Sequence, residues 1–264
     1  MSFLVLKNSR ILISVILLIA FISGFSSTTS TYALDNTQDM SFECESAILM
    51  EAKTGTVLYS YNPNKPLPPA SVTKIMTLLL IMEAIESGDL KYSDTITASA
   101  YAASMGGSQI FLKEGEQMSA EDLIKSVVIA SANDAAVALA EHLCGSEEAF
   151  VKKMNERAAV LGMINTNFEN TNGLDDSTTN HVTSAMDIAI MSRELIKHKD
   201  ILKFSSTWMD TIRNGSFGLT NTNRLVRFYT GATGLKTGST DKENGRLDWC
   251  CHGSLPRRGS IPLW

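Results

Sequence analysis

The run SVTKIMTLLLIMEAIES, Ser71 to Ser87, constrains the fold more than any other stretch. The spacing predicts a helix from Ser71 to about Glu86, ended near Gly88. Its apolar residues fall nearly all round the helix, so no face is left for water. Such a helix has to be enclosed by other elements. The chain can supply them: it has 264 residues, 44% of them hydrophobic, enough for a real core in one or two domains.

The flanking patterns say what those elements are. SAILMEAKTGTVLYSYN, Ser46 to Asn62, reads as two strands about a turn at Lys53-Thr54-Gly55. Pro66, Pro68 and Pro69 stop the second strand. Ser119 with Asp122 three residues on has the form of a capping box, and Leu123, Ile124, Val127 and Val128 keep helical spacing after it. SANDAA interrupts that helix. Asn133 and Asp134 are candidate caps of a second helix ending before Gly145. A third helix fits Glu147 to Leu161, between Ser146 and Gly162, and a fourth fits Ser184 to Lys197, capped by Thr183. Arg224 to Tyr229 reads as a strand leading into GATGLKTGST. Hairpin, helices, then strands predict an α/β fold of the α+β type: an antiparallel sheet with helices packed on it and an inserted helical cluster.

Residues 1–33 read as a secretory signal peptide. Lys7 and Arg10 precede the apolar Ile11 to Phe25, and small residues place cleavage after Ala33. The alternative, an uncleaved anchor, wants a run of ~20 apolar residues. Either reading puts the remaining chain outside the cytoplasm, exported to the cell envelope or secreted. Cys44, Cys144, Cys250 and Cys251 are irregularly spaced and read as free or buried thiols. No Cys/His cluster has zinc spacing, so no metal is expected. Net charge is −5 without a basic stripe, which excludes nucleic acid as an expected partner.

The chemistry is concentrated in three short motifs. On a helix, residues three apart share a face, so Ser71 and Lys74 stand side by side. A serine hydroxyl needs a base, and a lysine is a base only when burial favours its neutral form. The apolar helix supplies that burial, and the N–H groups at its start suit a developing oxyanion. The plainer reading makes Ser71 an N-cap and Lys74 a surface lysine. SAN, Ser131 to Asn133, falls where one helix breaks and another begins, which aims a hydroxyl and an amide into a cleft; its plainer reading is helix capping. KTG, Lys236 to Gly238, follows a predicted strand. Lys236 can meet a carboxylate there, and Gly238 admits a close backbone. A second KTG, Lys53 to Gly55, reads as an ordinary turn.

In this order, SVTK, SAN and KTG resemble the serine D-alanyl-D-alanine carboxypeptidases, the low-molecular-mass penicillin-binding proteins. The likeness extends to LPPASVTKIMTLLL, GGSQIFLKEGEQMSAEDLIKSVVIASANDAAVALAEH, NTNGLDDSTTNHVTSAMDIAIMSREL and GATGLKTGST, covering roughly Ser46 to Asp241. It implies a penicillin-binding-protein/β-lactamase-like fold over residues 34–241, no cofactor, and acyl transfer. Ser71 would attack a terminal D-Ala-D-Ala of a peptidoglycan stem peptide, and Lys74 would take its proton. Ser131 would relay a proton to the leaving D-alanine, and Asn133 would bind the substrate amide. Lys236 and Thr237 would hold the terminal carboxylate beside Gly238, and the N–H groups of Ser71 and Ser239 would form the oxyanion hole. β-Lactams would acylate Ser71. The resemblance allows at most a peripheral place on the outer face of the membrane.

Other classes fit less well. A class A β-lactamase would carry SDN in place of SAN, and a Ser-His-Asp hydrolase would need G-x-S-x-G. His142 and His181 read as surface or capping residues. A penicillin-binding sensor without turnover shares the motifs. After Asp241 the resemblance stops. The tail KENGRLDWCCHGSLPRRGSIPLW, residues 242–264, shows no strand alternation. Read one nucleotide forward, Leu247 to Gly253 can encode an apolar run such as LIGVVM, so a frameshift is expected. The strands that complete the sheet would then be missing, and KTG would lie at a bare edge.

Overall fold

The structure is a computed structural model that describes residues 44–174 and 178–239, and residues 247–253 through their backbone. The expected leader over residues 1–33 and its cleavage point lie outside the described residues, as does the tail from residue 254 onward.

The strands β1 (Ala47–Met50) and β2 (Val57–Tyr61) form the predicted hairpin, with an irregular register at Leu49/Met50. A 3₁₀ turn, Ala70–Thr73, leads into α1 (Lys74–Ser87). Next come β3 (Thr95–Thr97), α2 (Ala100–Ala103) and β4 (Gln117–Ser119). Then α3 (Ala120–Ala130), α4 (Asn133–Cys144) and α5 (Glu147–Val160) follow in close succession. They are followed by α6 (Ala185–Leu195), α7 (Asp200–Ser205), β5 (Met209–Ile212) and β6 (Phe217–Thr220). The short α8 (Leu225–Phe228), β7 (Ala232–Ser239) and β8 (Leu247–Gly253) complete the described chain.

The all-round apolar helix is enclosed as its sequence requires. Helix α1 packs against α3, α4, α5, α6 and β7. Val72, Ile75, Met76, Leu79 and Ile81 have no exposed surface. Burying each such side chain contributes about 1.5–3 kcal/mol, so this helix anchors the core. Gly88 ends it in the left-handed conformation (φ 84°), where glycine is least strained. The hydroxyls of Ser119, Ser146 and Ser184 cap α3, α5 and α6, each accepting an N–H three residues on.

Three expectations are corrected. The fourth helix is capped by Ser184, not Thr183. The Thr183 hydroxyl pairs instead with Thr166 Oγ1 at 2.7 Å, and its backbone bridges to Leu67. Arg224 to Tyr229 is not a strand but holds the helical turn α8. Asn221 Oδ1 accepts the Asn223 N–H and Asn223 Oδ1 accepts the Leu225 N–H, and such local bonds compete with a strand ladder. Finally, the edge beside KTG is not bare. Leu247–Gly253 pairs antiparallel along β7 from Ala232 to Ser239. Strand pairing is a backbone property, and this proline-free segment satisfies it without apolar alternation.

The β-structure among the described residues is divided into four antiparallel pairs rather than one continuous sheet: β1–β2, β3–β4, β5–β6 and β7–β8. Helix α6 packs against both β1 and β8. The strand hairpins and the inserted helices otherwise match the expected α+β layout.

One glycine brings a loop onto the start of α1. Gly173 (φ +84°) lies so close that a Cβ there would overlap the Ala70 carbonyl and approach Thr73 Oγ1. Gly173→Ala is expected to cost at least about 3 kcal/mol in urea unfolding. Gly88→Ala, with nothing within 4 Å of its Cβ position, should cost only the conformational ~1–2 kcal/mol.

Candidate active site

Ser71 lies in the 3₁₀ turn and Lys74 is the first residue of α1, so a tightened helical start sets their three-residue spacing. Ser71 is partly exposed, whereas Lys74 is fully buried. Lys74 Nζ lies 2.9 Å from Ser71 Oγ and donates to the Asn172 carbonyl at 2.6 Å. Burial drives the Lys74 amine well below the usual lysine value. The charge of Lys236 pushes the same way, and Asp134 opposes. A neutral amine so placed has a lone pair for the serine proton.

Ser131 ends α3 in the left-handed conformation (φ 62°), and Asn133 begins α4. Asn133 Nδ2 donates to the Gly106 carbonyl at 2.7 Å. Ser131 Oγ and Asn133 Oδ1 are buried without a hydrogen-bond partner among the described residues. Each such orphan costs about 1–3 kcal/mol, and a polar ligand would satisfy both. The expected caps of α4 are corrected: Ala132 is its N-cap, and no side chain caps it. Asp134 instead accepts the N–H groups of Ile110 and Leu112, tying the 106–112 loop to the start of α4.

Strand β7 brings the third motif. Lys236 is 1% exposed, and its Nζ donates to the Thr237 carbonyl at 2.7 Å. Burial lowers its pKa from 10.5 to about 7. Thr237 Oγ1 donates to Thr222 Oγ1 at 2.8 Å. Gly238 lies against the turn, where a Cβ would sit 3.1 Å from the Pro69 carbonyl oxygen and 3.3 Å from the Ala70 Cβ. Ser239 is exposed at the end of the strand. Strand β7 packs against the turn, α1 packs against α4, and Thr222, the partner of Thr237, donates its N–H to the Ile129 carbonyl near the end of α3, so the elements that carry the three motifs adjoin one another. The other KTG stays remote in the β1–β2 turn. There the Glu51 carboxylate accepts the N–H groups of Lys53 and Thr54.

Two parts of this site were not anticipated. The Asn172 carbonyl belongs to an Asn- and Gly-rich loop whose composition signals a turn and nothing more. His181 is neither a surface nor a capping residue. It is 7% exposed, lies 2.7 Å from Thr73 Oγ1 through Nε2, and accepts the Glu169 N–H at Nδ1. His142 is exposed on α4.

With this geometry in view, the comparisons with known proteins are specific. Residues 33–247 match the family model described as D-alanyl-D-alanine carboxypeptidase, peptidase S11. The chain belongs to that family. Over 252 residues it is 47% identical to the D-alanyl-D-alanine carboxypeptidase DacF of Bacillus subtilis, covering 94% of this chain and 62% of the relative. It is 35% identical to the carboxypeptidase DacC of Escherichia coli, over 84% of this chain and 56% of that one. The chain thus spans less than two thirds of these relatives. Among solved structures, Penicillin-Binding Protein D2 of Listeria monocytogenes in its ampicillin-bound form aligns with TM-score 0.66 and 31% identity, over 78% of this chain and 83% of that one. The regulatory factor PBP3 of Streptococcus pneumoniae aligns with TM-score 0.71 and 32% identity, over 76% and 61%.

For this family member, a buried lysine makes stability depend on pH. Lys236 has its folded pKa lowered to about 7 from 10.5. Between those values the unfolded chain binds more protons, so stability is greatest above 10.5 and is lost as pH falls toward 7. Lys236→Met is therefore expected to raise stability at pH 7 by roughly 2–4 kcal/mol in urea unfolding, and to flatten its rise toward alkaline pH.

Proposed function

We propose that this chain is a serine-type D-Ala-D-Ala carboxypeptidase acting on peptidoglycan stem peptides. The observation that carries the reading is a fully buried Lys74, its amine driven well below the usual lysine value, 2.9 Å from a partly exposed Ser71; the unpartnered polar atoms on Ser131 and Asn133 add to it. Ser71 attacks the carbonyl of the penultimate residue while Lys74 takes its proton. Ser131 passes a proton to the departing D-alanine, and Asn133 receives the substrate amide. Lys236 and Thr237 hold the terminal carboxylate, whose charge favours the protonated form of Lys236. The N–H groups of Ser71 and Ser239 face the oxyanion, and water releases the trimmed peptide. A β-lactam presents the same carbonyl and carboxylate. The ampicillin-bound form of the Listeria structure supports placing such a compound here. The 1–33 leader reading supports a place in the extracytoplasmic envelope.

The test is intact mass after incubating residues 34–264 with penicillin. Wild type should gain one penicilloyl group, and Ser71→Ala none. Lys74→Ala should slow acylation by at least ~10²-fold. Release of D-alanine from a D-Ala-D-Ala peptide separates an enzyme from a sensor. Folded wild-type protein that forms no adduct overturns the reading.

A further inference from the structure

The turn that carries Ser71 and Lys74 is held by a histidine that the reaction above does not use. His181 is buried at the end of the loop that begins near Asn167, and its ring packs edge-on against Phe168 at 5.9 Å between centroids. The Glu169 N–H reaches Nδ1 at 2.9 Å, so the proton of the neutral ring is on Nε2. From Nε2 it is donated to Thr73 Oγ1 at 2.7 Å, on the residue directly before Lys74.

The same loop presents the Asn172 carbonyl to the Lys74 amine. It is rigidly held. Glu147 Oε1 accepts both the N–H and the hydroxyl of Thr171, and the Thr77 hydroxyl donates to the Thr171 carbonyl. Gly173 closes against Ala70. Loop and turn thus form one block with the lysine amine between them.

We propose that His181 is a positioning residue for Lys74: through Thr73 it locks the Ser71–Lys74 turn to the loop whose Asn172 carbonyl keeps the amine dry and beside the serine. The inference rests on reading Lys74 as the base of the proposed reaction. The lock requires a neutral ring, because a second ring proton would face the Glu169 N–H. Burial favours the neutral form, taking the pKa to about 4 against the opposing charges of Glu169 and Glu147. The charged groups felt at Lys74 itself are Lys236 on β7 and Asp134 on α4.

The experiment follows the Lys74 amine directly. The full chain is labelled with ¹³Cε-lysine, the Lys74 signal is assigned by its loss in Lys74→Met, and the titration is read by NMR. His181→Ala and Thr73→Val should each raise the Lys74 midpoint by roughly one pKa unit or more, as water reaches the amine. The double variant should move it no further, since the two residues act in series. His181→Gln, which keeps an N–H near the Nε2 position, should recover part of the shift. Acylation by penicillin at neutral pH should fall about tenfold in His181→Ala, with its acid limb moved up by the same amount. A histidine that only stabilises the fold would lower the melting temperature and leave the Lys74 midpoint in place. That result in folded His181→Ala, or in Thr73→Val should the first variant not fold, overturns the proposal. Wild type that titrates as described but is not acylated counts against the proposed function alone.

Discussion

Much of this structure depends on keeping one amine out of water. Lys74 begins a helix that has no polar face, so its side chain lies in the core with the Asn172 carbonyl and the Ser71 hydroxyl as polar neighbours. An ammonium there would be costly to desolvate, and the nearby Lys236 adds repulsion. The protein resolves this by favouring the uncharged amine. The same burial that packs α1 at the centre of the fold therefore produces the base that the proposed chemistry needs.

Around that amine the site departs from what stability alone would select. Two lysines are buried, and Ser131 Oγ and Asn133 Oδ1 lack partners among the described residues. Ser131 itself holds a left-handed conformation unusual for a side-chain-bearing residue. Penalties of this size approach a substantial part of a domain's ~5–15 kcal/mol. The enclosed helix and its well-capped neighbours offset them. The Glu147–Thr171 and His181–Thr73 contacts add rigidity next to the strained part.

The legible parts of the fold were those set by local chemistry. The break between α3 and α4 and the serine caps of α3 and α5 follow from hydroxyls and glycines at fixed offsets. The β1–β2 turn follows from Lys53-Thr54-Gly55 held by Glu51. The errors fell where longer-range or backbone terms prevailed. The NTN segment before α8 bonds to its own backbone, and Thr183 answers to Thr166 across a loop rather than to its own helix. Leu247–Gly253 pairs with β7 although its side chains show no alternation, because β7 offers a ladder that any proline-free segment can join.

The sequence by itself determined that an enclosed helix begins with Ser71 and Lys74, that Ser131 and Asn133 lie at a helix junction, and that Lys236-Thr237-Gly238 follows as a separate element. These are matters of periodicity, capping and spacing along the chain. Only the tertiary structure decided that the three meet. It alone showed which of two KTG tripeptides lies against the serine turn, that a carbonyl about a hundred residues downstream holds the lysine, and that His181 is buried behind Thr73. Desolvation and hydrogen bonding across such separations depend on packing in space, which a residue's position along the chain does not record.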